Sequence, residues 1–261
     1  MIKHPGRNEN PWKNLDWKTN DCFHLNGYTF ELVSWGSPKK KSHENNFVLV
    51  KDQTFANSMG RILENSYPKT ILEFGIYQGA SLVLLDQLYK PDIIIGIDNR
   101  VGSDALLNYI QSRDGKTRFI AGYEMFQDDE TAVARLLDEA LAGSPLDLVI
   151  DDCSHLYLQS KRSFELTFPR LSEGGVYIIE DWGWAHWSGE FQERKFFEGT
   201  PLSQLIFELL MIQSSQPELI QRIEVDFHHV AVFRGTGAID LASFSIDHLY
   251  RSNQTIRLEK R

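Results

Sequence analysis

The chain has 261 residues, of which 42% are hydrophobic, and a formal net charge of −9 at pH 7. A chain of this length can bury a full core without disulfide bonds, and its two cysteines are too few for a disulfide framework. The negative charge disfavours a nucleic-acid partner, and no apolar run reaches the roughly 18 residues of a membrane span. We therefore expect a cytoplasmic globular protein with neither nucleic acid nor membrane as partner.

The first 68 residues predict an N-terminal extension that packs over the rest of the protein as a cap. Residues 28–35 look extended, and residues 36–46 read as a polar loop. A helix is predicted over residues 52–66, because Pro68 disfavours helical geometry in the residue before it.

From residue 70 onward, short β-branched runs alternate with amphipathic stretches, which predicts βαβ units. Five parallel strands are followed by a helix and by two strands so close together that only a tight hairpin can join them. The predicted strands are residues 70–74, 93–97, 117–121, 146–150, 175–179, 219–226 and 229–233. The predicted helices are residues 80–88, 104–112, 130–142, 158–171 and 202–213. Residues 69–240 would form this α/β domain, and residues 241–261 a tail.

A glycine-containing turn joins the first strand of the predicted sheet to its first helix. Within Glu73 to Ser81, the two glycines Gly75 and Gly79 permit close approach of a ligand, and the helix start offers free N–H groups. Asp98 ends the next strand, where an acid can accept hydrogen bonds from a ribose. Together they predict a nucleoside-like ligand. The alternative is that the glycines only shape a turn and that Asp98 caps the next helix.

Acids and an imidazole follow two neighbouring strands of the predicted sheet. Asp151, Asp152 and His155 follow one strand, and Glu180 and Asp181 follow the next. Carboxylates gathered at one sheet edge repel one another and are costly to desolvate. A divalent cation held by their oxygens is the best explanation for the cluster.

The glycine loop, with its pattern Glu-x-Gly-x-x-x-Gly-x-Ser, and the acid after the second strand resemble class I methyltransferases that bind S-adenosylmethionine. The resemblance covers residues 70–235 and implies a Rossmann-like fold. It places the glycines beneath the methionine part of the cofactor, Glu73 near the amino group and Asp98 at the ribose. Asp151 would face the cofactor or cap the following helix. The implied cofactor-binding residues are Glu73, Gly75, Gly79, Ser81, Asp98 and Asp151.

The acidic cluster resembles a narrower branch, the metal-dependent sugar O-methyltransferases of macrolide and rhamnoside pathways, which also includes proteins called cephalosporin hydroxylases. The resemblance implies that Asp152, Glu180 and Asp181 bind Mg²⁺ and that His155 is the general base, so that Asp152 and His155 carry the catalysis. It also suggests a homo-oligomer. Residues 228–234 depart from the pattern of the family's last strand, and therefore support the topology only.

An aliphatic hydroxyl barely ionises at neutral pH, so its methylation needs a metal that lowers the hydroxyl pKa and a base that takes the proton. We therefore expect an O-methyltransferase acting on a hydroxyl of a small, glycosylated secondary metabolite, with a sugar or polyketide as acceptor. A cofactor-binding partner without methyl transfer and a metal-assisted hydrolase are the alternatives.

Several aromatic side chains follow the proposed ligands. Trp182, Trp184 and Trp187 either wall the acceptor pocket or pack their loop onto the sheet. His228 and His229 do not suggest a chelating pair, because adjacent strand residues point to opposite faces. We interpret them as part of a turn.

Overall fold

The computed structural model describes residues 10–34, 40–113, 116–188, 199–249 and Arg257. Residues 36–39 of the predicted polar loop are therefore outside the described residues, as are the beginning of the N-terminal extension and about half of the tail.

A small four-stranded sheet occupies the N-terminal region. Three strands, β1 (Asp16–Thr19), β2 (Cys22–Leu25) and β3 (Tyr28–Leu32), pair antiparallel in sequence, and β4 (Asn46–Leu49) pairs parallel to β3. The buried rings of Phe23, Phe30 and Phe47 stack along its inner face at centroid distances of 5.0 and 5.9 Å. Of this sheet, the sequence predicted only the extended segment that contains β3, because strands of four residues are too short to display a period.

The central sheet has seven strands in the order β10-β11-β9-β8-β5-β6-β7. Strands β5 to β9 are parallel, whereas β11 is antiparallel to both β9 and β10. The predicted α/β fold, mostly parallel with an antiparallel C-terminal hairpin, is confirmed. The strands are β5 (Thr70–Phe74), β6 (Ile93–Ile97), β7 (Arg118–Gly122), β8 (Leu146–Asp151), β9 (Leu171–Glu180), β10 (Ile220–Val225) and β11 (His229–Arg234).

Helices cover both faces of the central sheet and create two apolar layers. One layer joins the first three helices and the small sheet to one face, and the other joins the last three helices to the opposite face. Parallel strands buried on both faces have continuous apolar sequences, as β6 does. The helices are α1 (Gln53–Ile62), α2 (Ala80–Tyr89), α3 (Asp104–Ser112), α4 (Glu130–Leu141), α5 (Tyr157–Thr167) and α6 (Ser203–Ser215).

Two predicted helices end earlier than the sequence pattern indicated. Helix α1 ends at Ile62 instead of residue 66, and α5 ends at Thr167 and continues as the 3₁₀ turn Phe168–Arg170. Pro169 lies in that turn, and its ring removes a backbone donor. Strand β9 then begins at Leu171, four residues before the predicted start. Within the described ranges, none of the helices has the length and apolar character needed to cross a membrane.

The strand order reverses between β5 and β8, and the chain is tightly packed at this point. Gly75 follows β5 with φ of +87°, and a Cβ atom there would lie 2.0 Å from the backbone oxygen of Asp152. A side chain at position 75 would therefore meet both unfavourable backbone geometry and a backbone clash. Gly75 therefore lies where the chain that leaves β5 packs against the chain that leaves β8.

We expect Gly75→Ala to cost about 3 kcal/mol or more of folding free energy, because the clash with Asp152 adds to the cost of positive φ. Gly143→Ala is the matched control, since Gly143 has the same φ of +87° and a Cβ atom there would have nothing within 4 Å. That control should lose only about 1 kcal/mol. Urea denaturation measures both, and equal losses would contradict the role of close packing.

Candidate functional site

Strand periodicity sorts the acidic residues between the two faces of the central sheet. Glu73, Asp152 and Glu180 are in phase with strand residues that pack against α1, α2 and the small sheet. Asp151 is in phase with Val149, which packs in the opposite layer. The proposed site therefore lies at the carboxyl ends of β5, β8 and β9, on the side covered by the N-terminal region.

The glycine loop brings two of the predicted cofactor residues into contact. The Ser81 hydroxyl, on the first turn of α2, donates a 2.8 Å hydrogen bond to Oε2 of Glu73. Ser81 is the only hydrogen-bond donor to this buried carboxyl within the described part of the chain. Burial, above all, raises the pKa of Glu73 to about 8. Gly79, which precedes α2, packs against Leu106.

Asp98 stabilises the glycine loop from the end of β6. Its two carboxylate oxygens accept hydrogen bonds from the backbone N–H groups of Tyr77, at 2.8 Å, and of Arg100, at 2.9 Å. Asp98 does not cap helix α3, whose N-cap residue is Ser103. The contact with Tyr77 links the acid directly to the loop that the sequence associated with the cofactor.

Asp152, His155 and Asp181 form a compact group that offers oxygen and nitrogen atoms within 4.8 Å of one another. Nε2 of His155 lies 3.8 Å from Oδ1 of Asp152. Both His155 and Asp181 have positive φ, 55° and 53°, a conformation that non-glycine residues adopt rarely and at an energetic cost. Burial raises the pKa of Asp181, and the nearby Asp152 carboxylate raises it further.

Glu180, the third predicted ligand, is not a member of this compact group, and its carboxylate accepts a hydrogen bond from Lys51. The Lys51 ammonium also donates a 2.7 Å hydrogen bond to Oδ2 of Asp152, so one lysine bridges the two carboxylates. Burial raises the pKa of Glu180 well above its ordinary value, and repulsion from Asp152 raises it further.

Sequence reasoning missed Lys51. It lies between β4 and α1, about a hundred positions from Asp152 along the chain. The only sequence signal that could have pointed to it is charge balance, since several buried acids require a nearby cation.

The Asp151 carboxylate is engaged on the other face of the sheet. It accepts hydrogen bonds from Nε2 of Gln127, at 3.1 Å, and from the Tyr177 hydroxyl, at 3.0 Å. Burial raises its pKa. These contacts support a structural role, and a role in cofactor binding stays a prediction.

The three tryptophans after β9 have different surroundings. Nε1 of Trp182 donates a 2.9 Å hydrogen bond to the backbone oxygen of Asp226, which attaches the loop to the β10–β11 hairpin. Trp184 packs against the His155 ring with centroids 4.3 Å apart. Trp187 stacks on Phe227, at 5.3 Å, and 64% of Phe227 is exposed. Aromatic surface therefore extends from the candidate base towards solvent.

The two histidines of the hairpin contact helix α1. Nε2 of His228 lies 2.8 Å from the Thr54 hydroxyl, and Nδ1 of His229 lies 3.1 Å from the Ser58 hydroxyl. His228 is in the turn, as expected, whereas His229 is already the first residue of β11.

The comparisons with known proteins agree with this fold, and the matched segment includes the carboxyl ends of β5, β8 and β9. Residues 72–182 match a family model described as a methyltransferase domain. The chain is 31% identical over 126 residues to the L-olivosyl-oleandolide 3-O-methyltransferase of Streptomyces antibioticus, covering 46% of this chain and 29% of that protein. It is 47% identical over 45 residues to the mycinamicin VI 2''-O-methyltransferase of Micromonospora griseorubida, covering 17% of this chain and 11% of that protein.

Among solved structures, the chain is similar to the MycE methyltransferase from the mycinamycin biosynthetic pathway, crystallised in complex with Mg and SAH. The TM-score is 0.52 and the identity 26%, over 71% of this chain and 52% of that chain. The central sheet therefore has the Rossmann-like fold of class I methyltransferases. It is similar to macrolide and sugar O-methyltransferases, but spans about half of the structural relative and under a third of the first curated one.

The raised pKa of Glu73 predicts a pH-dependent stability. At pH values below 4.5, its ordinary pKa, the neutral Glu73 carboxyl makes its full contribution to stability. This contribution is lost as the pH rises through about 8. Wild type should therefore lose stability over this range relative to Glu73→Gln, by about 2 kcal/mol or more. Denaturant titrations of both proteins at pH 5 and pH 9 in EDTA measure the difference. A constant difference would contradict the assignment.

Proposed function

We propose that this protein is a metal-dependent, S-adenosylmethionine-dependent O-methyltransferase that acts on a hydroxyl of a small, glycosylated secondary metabolite. The observation that carries the proposal is the compact group of Asp152, His155 and Asp181 beside the glycine loop, in a domain similar to MycE. The alternatives, a non-catalytic partner and a metal-assisted hydrolase, receive no comparable support.

The glycine-loop residues fit the cofactor. The buried Glu73 carboxyl has Ser81 as its one donor within the described ranges, and the ammonium of an amino acid would supply a charge partner. Asp98 retains lone pairs for ribose hydroxyls, since each of its oxygens accepts one backbone hydrogen bond. Gly75 and Gly79 shape the glycine loop that would lie beneath the cofactor. MycE, crystallised with SAH, supports this assignment.

The acidic residues fit a hard divalent cation. Asp152, Glu180 and Asp181 supply carboxylate oxygens, the ligand type that Mg²⁺ prefers. Burial, and to a smaller extent repulsion from the Asp152 carboxylate, raises the pKa values of Glu180 and Asp181, so an added cation would stabilise their charged forms. When bound, the metal would supply Lewis-acid polarisation of the acceptor hydroxyl.

His155 is suited to receive the proton of the acceptor. Its ring is held against Trp184 and faces Asp152, and its buried Nδ1 has no hydrogen-bond partner within the described ranges. The cofactor, when bound, would supply the methyl group, and a C–O bond to the acceptor would form as the S–C bond breaks and S-adenosylhomocysteine leaves. The hydroxyl proton passes to His155. In-line positioning and this proton transfer are the main contributions of the protein.

The aromatic surface of Trp184, Trp187 and Phe227 is the proposed acceptor wall. Aromatic faces suit the apolar faces of sugar rings and polyketides, and this surface begins at His155. The relatives whose names specify glycosylated macrolides support an acceptor of this class. We also propose that the protein acts in the cytoplasm, as its two free cysteines suggest, and that it is a homo-oligomer.

Calorimetry tests the cofactor and metal sites without knowledge of the acceptor. S-adenosylhomocysteine should bind wild type and bind Glu73→Gln at least about tenfold more weakly, because the variant loses the charge partner of the amino group.

Mg²⁺ should bind wild type, and Asp152→Asn or Asp181→Asn should abolish its binding. EDTA should abolish turnover.

Asp138→Asn is the control for the metal experiment, since it removes an exposed carboxylate of α4 that is paired with Arg170. It should leave Mg²⁺ binding unchanged. Full methyl transfer in excess EDTA would refute the metal requirement, whereas absence of S-adenosylhomocysteine binding at millimolar concentration would refute the cofactor assignment.

Removal of the His155 imidazole should lower the rate of methyl transfer by about 100-fold or more, the effect expected for a lost general base. With an acceptor that wild type methylates, His155→Ala should retain cofactor and Mg²⁺ affinity. His155→Asn should be almost as slow, because an amide cannot take the proton at neutral pH. His186→Ala is the control, as His186 is bound to Ser203 instead of the acidic cluster. Near wild-type turnover by His155→Ala would eliminate the base assignment.

A further inference from the structure

Lys51 occupies the position between two of the proposed metal ligands. Its ammonium donates to Oδ2 of Asp152 at 2.7 Å and to Oε2 of Glu180. The same ammonium lies over the Phe55 ring, 4.4 Å from the centroid, which adds a cation–π contact. The N-terminal region thus places a positive charge inside the carboxylate cluster of the central sheet.

The lysine acts as a cation in this position, because its ammonium donates hydrogen bonds to carboxylate oxygens of both Asp152 and Glu180. Only 13% of the Lys51 side chain is exposed, compared with 3% of the Glu180 side chain, so both charges are largely removed from water. Each of these two buried charges therefore needs the other as its partner.

A metal ion and the ammonium compete for the same two carboxylates. Mg²⁺ binds its ligands directly, at about 2.0–2.1 Å. The Lys51 hydrogen bonds use Oδ2 of Asp152 and Oε2 of Glu180, so an ion on the other oxygen of each carboxylate would still lie close to the ammonium. Two cations that close repel each other. Binding of Mg²⁺ to Asp152, Glu180 and Asp181 together therefore favours movement of the ammonium away from Glu180.

We propose that Lys51 is an internal counter-ion that holds the metal-binding carboxylates together in the metal-free protein and is displaced from Glu180 when Mg²⁺ binds. This inference rests on the metal site of the proposed function. The competing arrangement keeps Lys51 on Glu180 and leaves the ion to Asp152, Asp181 and His155. If the ion displaces Lys51, this residue of the N-terminal region sets the affinity of the site for the metal.

The test is Mg²⁺ calorimetry on the full chain with four variants. Lys51→Met removes the competing charge at similar side-chain length and should bind Mg²⁺ about tenfold more tightly or better. Lys51→Arg retains the charge and should stay near wild type. Lys161→Met is the matched control, because Lys161 is equally buried and paired with Asp247 outside the cluster, and its affinity should not change.

The fourth variant separates displacement from simple charge repulsion. In the Lys51→Met background, the added change Glu180→Gln should weaken Mg²⁺ binding at least about tenfold, because Glu180 is then a ligand. If Glu180→Gln has no effect there, Glu180 does not bind the ion and the inference is wrong. If Lys51→Met binds Mg²⁺ no better than wild type, the inference is also wrong.

Thermal unfolding in EDTA gives a second readout. Lys51→Met should melt at a lower temperature than wild type without metal, and added Mg²⁺ should raise its melting temperature more than that of wild type. If Lys51→Met does not fold, Lys51→Gln, which keeps an amide donor without the charge, replaces it in both measurements. If wild type binds Mg²⁺ and the Lys51 variants bind it with the same affinity, only this inference is refuted. Failure of every variant and wild type to bind Mg²⁺ refutes the metal site as well.

Discussion

Negative charge held at one buried edge of the sheet is the constraint on which the rest of the site depends. Glu73 and Glu180 are buried, and Asp152 and Asp181 are half-buried beside them. Isolated carboxylates in such surroundings would be protonated or repelled into solvent. Their coexistence requires cations or protons in contact with them, which explains the high pKa of Glu73 and the position of Lys51.

The N-terminal region is part of this electrostatic arrangement and not only a cover for the sheet. The segment between β4 and α1 supplies Lys51, and α1 supplies the Phe55 ring beneath its ammonium and the hydroxyls that bind the hairpin histidines. Packing of the small sheet on α2 and α3 fixes this segment relative to β8 and β9. The stability of the N-terminal region and the charge state of the site are therefore linked.

The relation to known methyltransferases covers the sheet and its carboxyl edge. The matched family segment ends at residue 182, just beyond the Glu180–Asp181 pair, and includes the glycine loop and the Asp152–His155 segment. The small sheet, Lys51 and the hairpin histidines lie outside that segment.

Local patterns are enough to predict the central sheet, because continuous apolar strands and amphipathic helices show their period in the sequence. The same patterns identified the strand ends that carry Asp152, His155 and Asp181. The metal and catalytic roles of those residues stay predictions. The pairing of Glu180 with Lys51, the hydrogen bond between Asp151 and Tyr177 on the opposite face, and the small sheet appear only in the folded structure. A charge partner a hundred residues away, or a strand of four residues, leaves no periodic signal in the chain and is selected only when the layers pack.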